Sequence, residues 1–220
     1  MLNLNDLGSI RCVKESGTSS VFQVSLQARL CLMKVYHAID KQPWHPSYRE
    51  IDPYICESAA YGRLKEQGLC QQGIVPDFYG VIDQTNPMQW QPHLNKFLKD
   101  KHRPNSILLE LIPNLKQIGL ESYTENLAAA LLSIIQQIHE AGICHCDPYP
   151  RHMVVQPETD RVLWIDFDRA QIFNDQSITD RYHSWKEDDP LMTAELLDFL
   201  AKDMKLGKLV HAWGYYYHYS

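Results

Sequence analysis

Two short acidic motifs stand nineteen residues apart in this chain, His145-Cys146-Asp147 and Asp166-Phe167-Asp168, and each adjoins an apolar run. The first sits in a polar loop, Ile143-Cys144-His145-Cys146-Asp147-Pro148-Tyr149-Pro150-Arg151, that runs through His152 into Met153-Val154-Val155; the second closes the apolar stretch Val162-Leu163-Trp164-Ile165. An aspartate after a strand often does no more than cap a turn. Two of them in this order, one in a loop before a strand and one at the end of the next strand, fit a site in which one carboxylate orients a hydroxyl and the other holds a metal ion on a phosphate chain.

Features upstream tighten that reading. Arg29-Leu30-Cys31-Leu32-Met33-Lys34-Val35-Tyr36 matches the strand pattern V-A-I-K, whose lysine pairs nucleotide phosphates. Glu57 follows in a segment that starts at Asp52-Pro53, with proline suited to the first helical position. Helical spacing puts Glu57 on one face with Ala60 or Tyr61 and Leu64. A carboxylate on an apolar face needs a cation, and Lys34 is the candidate.

With these residues the chain resembles the protein-kinase-like superfamily, and Asp147-Pro148-Tyr149-Pro150-Arg151 is similar to the loop of short kinase-like proteins of filamentous fungi. The resemblance covers roughly residues 7 to 172. Cys146 replaces the arginine of H-R-D, Asp168 replaces the glycine of D-F-G, and no A-P-E follows, departures that resemble the aminoglycoside and choline kinase branch. The resemblance implies an α+β, two-lobed fold in one domain, with a small antiparallel sheet and one helix over about 7–112 and a reduced, mainly helical lobe over about 113–220. It implies ATP and magnesium as cofactors, Asp147, Lys34 and Glu57 as catalytic residues, and a nucleotide held by Gly17, Lys34, Glu110 and Leu111, the last two beside the adenine. Asp166 becomes the metal ligand. His152 stands where the superfamily has a metal-binding asparagine; imidazole is a poor magnesium ligand, so Asp168 is the nearest substitute oxygen, and manganese becomes an alternative ion.

The remaining pattern completes the expectation. Ile10–Val13, Val21–Leu26 and the lysine strand read as a meander, with Glu15 to Ser20 as its first turn. Two more strands are expected at 77–82 and 106–112, separated by a polar insert at about 84–105 that reads as an exposed, mobile excursion. Leu127, Leu131, Ile134, Ile135 and Ile138 mark a long helix from about Thr124 to Gly142. A last helix is expected from Pro190 to about Lys205, and the aromatic tail Trp213, Tyr215, Tyr216, Tyr217 and Tyr219 is expected to fold back on the larger lobe.

Composition excludes several classes. With 220 residues, 45 % hydrophobic and 22 % charged, the chain can bury a core in one unit or two small lobes. A net charge of −6 argues against a nucleic-acid surface built on bulk positive charge. The six cysteines, at 12, 31, 56, 70, 144 and 146, contain no C-x-x-C pair and follow no secretory leader, so they read as free thiols of a cytoplasmic protein. Cys144, His145, Cys146 and His152 invite a zinc assignment, but their spacing is not that of usual ligands. No apolar run is long enough to span a bilayer. Two readings stand: a phosphotransferase acting on a hydroxyl of a small molecule or protein, favoured by Lys34, Glu57, Asp147 and Asp166 together, and a pseudokinase that binds nucleotide or partners without catalysis, favoured by His152 and the single glycine of the first hairpin.

Overall fold

The computed structural model describes residues 4–173 and 180–217. Its first half is a sheet built from β1 (Leu7–Glu15), β2 (Ser19–Leu26), β3 (Arg29–Tyr36), β4 (Phe78–Ile82) and β5 (Asn105–Glu110), all antiparallel in the order β1-β2-β3-β5-β4. Between β3 and β4 run α1 (Pro53–Glu66) and the short α2 (Leu69–Gln72). Asp52 caps α1 by accepting from the Tyr54 N–H at 2.9 Å, and Pro53 occupies its first turn at no loss of a helical hydrogen bond. The helix buries Cys56, Glu57, Ala60, Tyr61 and Leu64.

A pleated sheet alternates its side chains between two faces, and α1 covers only one. The other carries Phe22, Val24, Cys31, Met33, Val35 and Leu108, all fully buried. Their cover is the insert between β4 and β5. It is not the exposed excursion that its polar composition suggests: it forms two short 3₁₀ turns, Pro87–Trp90 and Asn95–Lys99, and drives Leu94 and Phe97 into this second core. His37 stacks on Phe97 at 4.3 Å and reaches Asp100 at 2.8 Å, tying the insert to the end of β3.

The second half is mainly helical. It runs through β6 (Lys116–Gln117), α3 (Glu125–Glu140), β7 (Ile143–Cys144), β8 (Met153–Gln156), β9 (Arg161–Trp164), β10 (Gln171–Ile172), α4 (Asp180–Leu206) and α5 (Trp213–Tyr217), with small sheets β6-β8-β9 and β7-β10. Thr124 caps α3, its hydroxyl accepting from the Leu127 N–H at 3.1 Å, and Gly142 ends the segment in a left-handed conformation. The stripe Leu127, Leu131, Ile134, Ile135 and Ile138 is core, each such side chain worth about 1.5–3 kcal/mol on burial.

Helix α4 begins ten residues before the proline expected to start it. Pro190 lies inside α4, where Thr193 turns its hydroxyl onto the Asp189 carbonyl at 2.7 Å. Burial of Leu196, Leu197 and Leu200 and the contacts of Asp189 described below hold the helix through the proline. The tail folds back through Tyr216, which donates to the Ile118 carbonyl at 2.7 Å, and Tyr215, which donates to Glu195 at 2.5 Å; Trp213 and Tyr217 remain exposed. Tyr219 lies outside the described residues. No helix among them is long and apolar enough to cross a membrane.

Candidate active site

The two halves meet along a cleft of about 450 Å³. At its back, Lys34 on β3 lies 2.7 Å from Glu57 on α1, 2.5 Å from Asp166 after β9 and 3.5 Å from Asp168. Tyr36, two residues further along β3 and on the same face, donates its hydroxyl to the Glu57 oxygen that Lys34 also contacts. Alternation along β3 points both side chains at α1. Burial pushes the Glu57 carboxyl up to about 7, because the Lys34 charge offsets only part of the desolvation and Asp166 and Asp168 repel it. Burial disfavours the Lys34 charge, yet Glu57, Asp166 and Asp168 together hold its ammonium well above the ordinary lysine range. Asp166 is also desolvated, but the His152 contact and the Lys34 charge bring it far below the usual carboxylate range. Asp168 moves the other way, raised by burial and by Asp166 beside it.

Asp147 enters the cleft from the loop between β7 and β8 and is buried. The Arg151 guanidinium lies 3.0 Å from each of its oxygens, and Arg169 Nε stands 3.9 Å away. Arg151 also lies over the Tyr149 ring, 4.6 Å from its centre. His152 Nδ1 donates to the Asp147 carbonyl at 2.8 Å, so this nitrogen carries the proton, and its Nε2 is 3.5 Å from Asp166 Oδ2. His145 bonds the Ile165 carbonyl at 3.1 Å and is packed by Trp164 and Phe167. Burial drives its pKa down to about 4, keeping the ring neutral.

What fixes this loop is a residue that sequence reasoning missed. Asp189 on α4 is buried, and its carboxylate accepts from the His145 N–H at 2.7 Å and the Cys146 N–H at 3.2 Å, with His139 Nε2 at 3.1 Å. Cys146 and Asp166 both adopt positive φ, 58° and 66°, a conformation that costs a non-glycine residue energy and persists only where its surroundings impose it. The only available signal was Asp188-Asp189-Pro190, which reads as an ordinary helix start. Cys144, His145, Cys146 and His152 do not gather as metal ligands; among the described residues His139, Cys144 and Asp189 converge instead, within 4.8 Å, and there Asp189 is already committed to backbone donors.

Of the residues expected at the nucleotide beside Lys34, Glu110 lines the cleft, and Gly17 and Leu111 do not. Gly17 is at the exposed tip of the β1–β2 hairpin with open space around it, and the cleft is lined by its neighbours Ser16, Thr18 and Ser19. The Ser16 hydroxyl accepts from the Thr18 and Ser19 N–H groups at 3.3 and 3.0 Å, filling donors that a glycine loop would leave for phosphate. Glu110 borders the cleft, but its carboxylate is gripped by Arg161 at 2.7 and 2.9 Å. Leu111 lines a different cavity, beside Arg161, while Leu109 and Ile112 line the cleft.

Residues 115–189, which include both acidic motifs and Asp189, match the lipopolysaccharide kinase (Kdo/WaaP) family. The whole chain is similar to the solved structure of the Cydia pomonella granulovirus kinase PK-1, with a TM-score of 0.53 at 10 % identity, covering 94 % of this chain and 70 % of that one. This protein has a protein-kinase-like fold. No curated protein matches it in sequence. The kinase-like fold accounts for the five-stranded sheet, the helix carrying Glu57 and the two acidic loops facing one another across the cleft.

Proposed function

We propose that this protein is a phosphotransferase that uses ATP and a divalent metal ion to phosphorylate a hydroxyl of a small molecule or protein. One observation carries the reading: Lys34 is held between Glu57 at 2.7 Å and Asp166 at 2.5 Å, in the cleft that also takes in Asp147. Lys34 would pair the nucleotide phosphates, with Glu57 and Tyr36 fixing it. Asp147 would orient the acceptor hydroxyl and take its proton once Arg151 turns toward phosphate oxygens. Rate enhancement would come from positioning and charge neutralisation.

The donor set fits a dication. Glu57, Asp166 and Asp168 bring three carboxylates to one lysine. Asp166 and Asp168 would hold the ion, which supplies charge neutralisation to the phosphates. His152 Nε2 lies 3.5 Å from Asp166 Oδ2, and an imidazole nitrogen is a ligand better suited to manganese than to magnesium. Free thiols, four of them buried, suit a reducing compartment such as the cytoplasm.

The pseudokinase reading rests on Ser16 filling the hairpin donors and on Arg151 covering both Asp147 oxygens. Phosphate transfer and ATP hydrolysis, measured with magnesium and with manganese, separate the two. The phosphotransferase should prefer manganese, His152→Asn should raise turnover with magnesium, and Asp168→Asn should lower it. Absence of turnover in all three proteins with both metals would favour the pseudokinase.

A further inference from the structure

A cavity of about 790 Å³, whose lining includes neither Lys34 nor Asp147, lies between the segment leading into α1, β10 and the first part of α4. Among the described residues its cations are Lys41 and Arg49 and its only acid is Glu50. Glu50 is fully engaged: one oxygen meets Lys41 at 2.7 Å and the other accepts from the Ile51 and Asp52 N–H groups at 2.9 Å each. Arg49 is left without a counter-ion among the described residues, and its Nε is buried with no hydrogen-bond partner. A buried guanidinium donor without a partner is costly, and a ligand oxyanion relieves that cost. Tyr48, Phe173 and Trp185 supply aromatic surface to the same cavity.

We propose that this cavity is a second ligand site, separate from the nucleotide cleft, for a small organic anion: a phosphate or carboxylate on a flat ring body, with the oxyanion on Arg49 and the ring against Trp185. Gln171 already joins the two walls, accepting from the Glu50 N–H at 2.8 Å and donating to the Glu50 carbonyl at 3.0 Å, so the pocket is preformed rather than assembled by the ligand. An occupant would sit at the foot of the helix that carries Glu57.

The probes are phenyl phosphate and inorganic phosphate, titrated into the whole protein by calorimetry, with tryptophan fluorescence as a second signal. Phenyl phosphate should bind saturably and more tightly than inorganic phosphate. Arg49→Gln should weaken it roughly tenfold or more, as expected for loss of a charge-assisted contact, and Arg49→Lys should recover part of that loss. Trp185→Phe should remove the fluorescence response while keeping most of the affinity. Lys34→Ala should leave binding unchanged. No saturation at millimolar phenyl phosphate, equal affinity in Arg49→Gln with an unchanged melting temperature, or loss of binding in Lys34→Ala would each overturn the site. None of these outcomes depends on whether the protein transfers phosphate.

Discussion

Replacing Asp189 by alanine should destabilise the protein more than a typical buried polar substitution, because its carboxylate serves two backbone donors that have no other acceptor in sight. The His145 and Cys146 N–H groups bond it at 2.7 and 3.2 Å, His139 Nε2 lies 3.1 Å away, and the residue is 3 % exposed. Leaving two buried N–H groups unpaired costs about 1–3 kcal/mol each, and breaking a buried charged network by removing one partner costs about 3–5 kcal/mol. We therefore expect Asp189→Ala to lose about 3–5 kcal/mol in urea unfolding. Asp189→Asn, which keeps an acceptor of the same shape, should lose about 1–2 kcal/mol. The loop conformation should go with it: Cys146 holds φ 58° under this clamp, so nucleotide turnover should fall in both variants by more than the folded fraction does. Unfolding of Asp189→Ala within about 1 kcal/mol of wild type would refute the reasoning, since the donors would then have found other partners.

Two further outcomes follow from burial. Phe97→Ala should cost about 3–5 kcal/mol, the usual loss for a buried aromatic, because the insert caps the second face of the sheet and Phe97 is 2 % exposed there; denaturation showing less than about 0.5 kcal/mol would return the insert to an exposed excursion. Glu57 binds a proton up to about 7 in the folded protein against an ordinary 4.5, so its contribution to stability is present below pH 4.5 and is lost as pH rises through 7. Melting curves across that window should therefore fall more steeply for wild type than for Glu57→Gln, and parallel curves would contradict the assignment.

Much of this arrangement is legible in the sequence where a local rule speaks. The Asp52-Pro53 start and helical spacing place Glu57 inward, and it is 1 % exposed; the Thr124 cap and Gly142 stop bracket α3. What the sequence hid depends on contacts between distant segments. The insert looks polar because Lys96, Lys99, Lys101, His102 and Arg103 outnumber Leu94 and Phe97, yet two apolar side chains three residues apart suffice to cover a small sheet face. Pro190 reads as a helix start because the reason to continue upstream, the clamp of Asp189 on a loop more than forty residues earlier, has no local signature. Glu110 lines the cleft where the hinge position puts it, but the pairing of its carboxylate with Arg161 has no local signature.

The most direct test of the central claim is calorimetric titration of ATP with magnesium or manganese into the wild-type protein and into Lys34→Ala and Asp166→Asn. Lys34 is 12 % exposed and centred among Glu57, Asp166 and Asp168, and under the proposed function its ammonium would pair the phosphates while Asp166 and Asp168 would hold the metal. The account predicts metal-dependent binding by the wild type, weakened at least roughly tenfold, or about 1.4 kcal/mol, in each variant with the fold retained. Absence of nucleotide binding by the wild type at millimolar ATP with either metal, or binding indifferent to both substitutions, would contradict it.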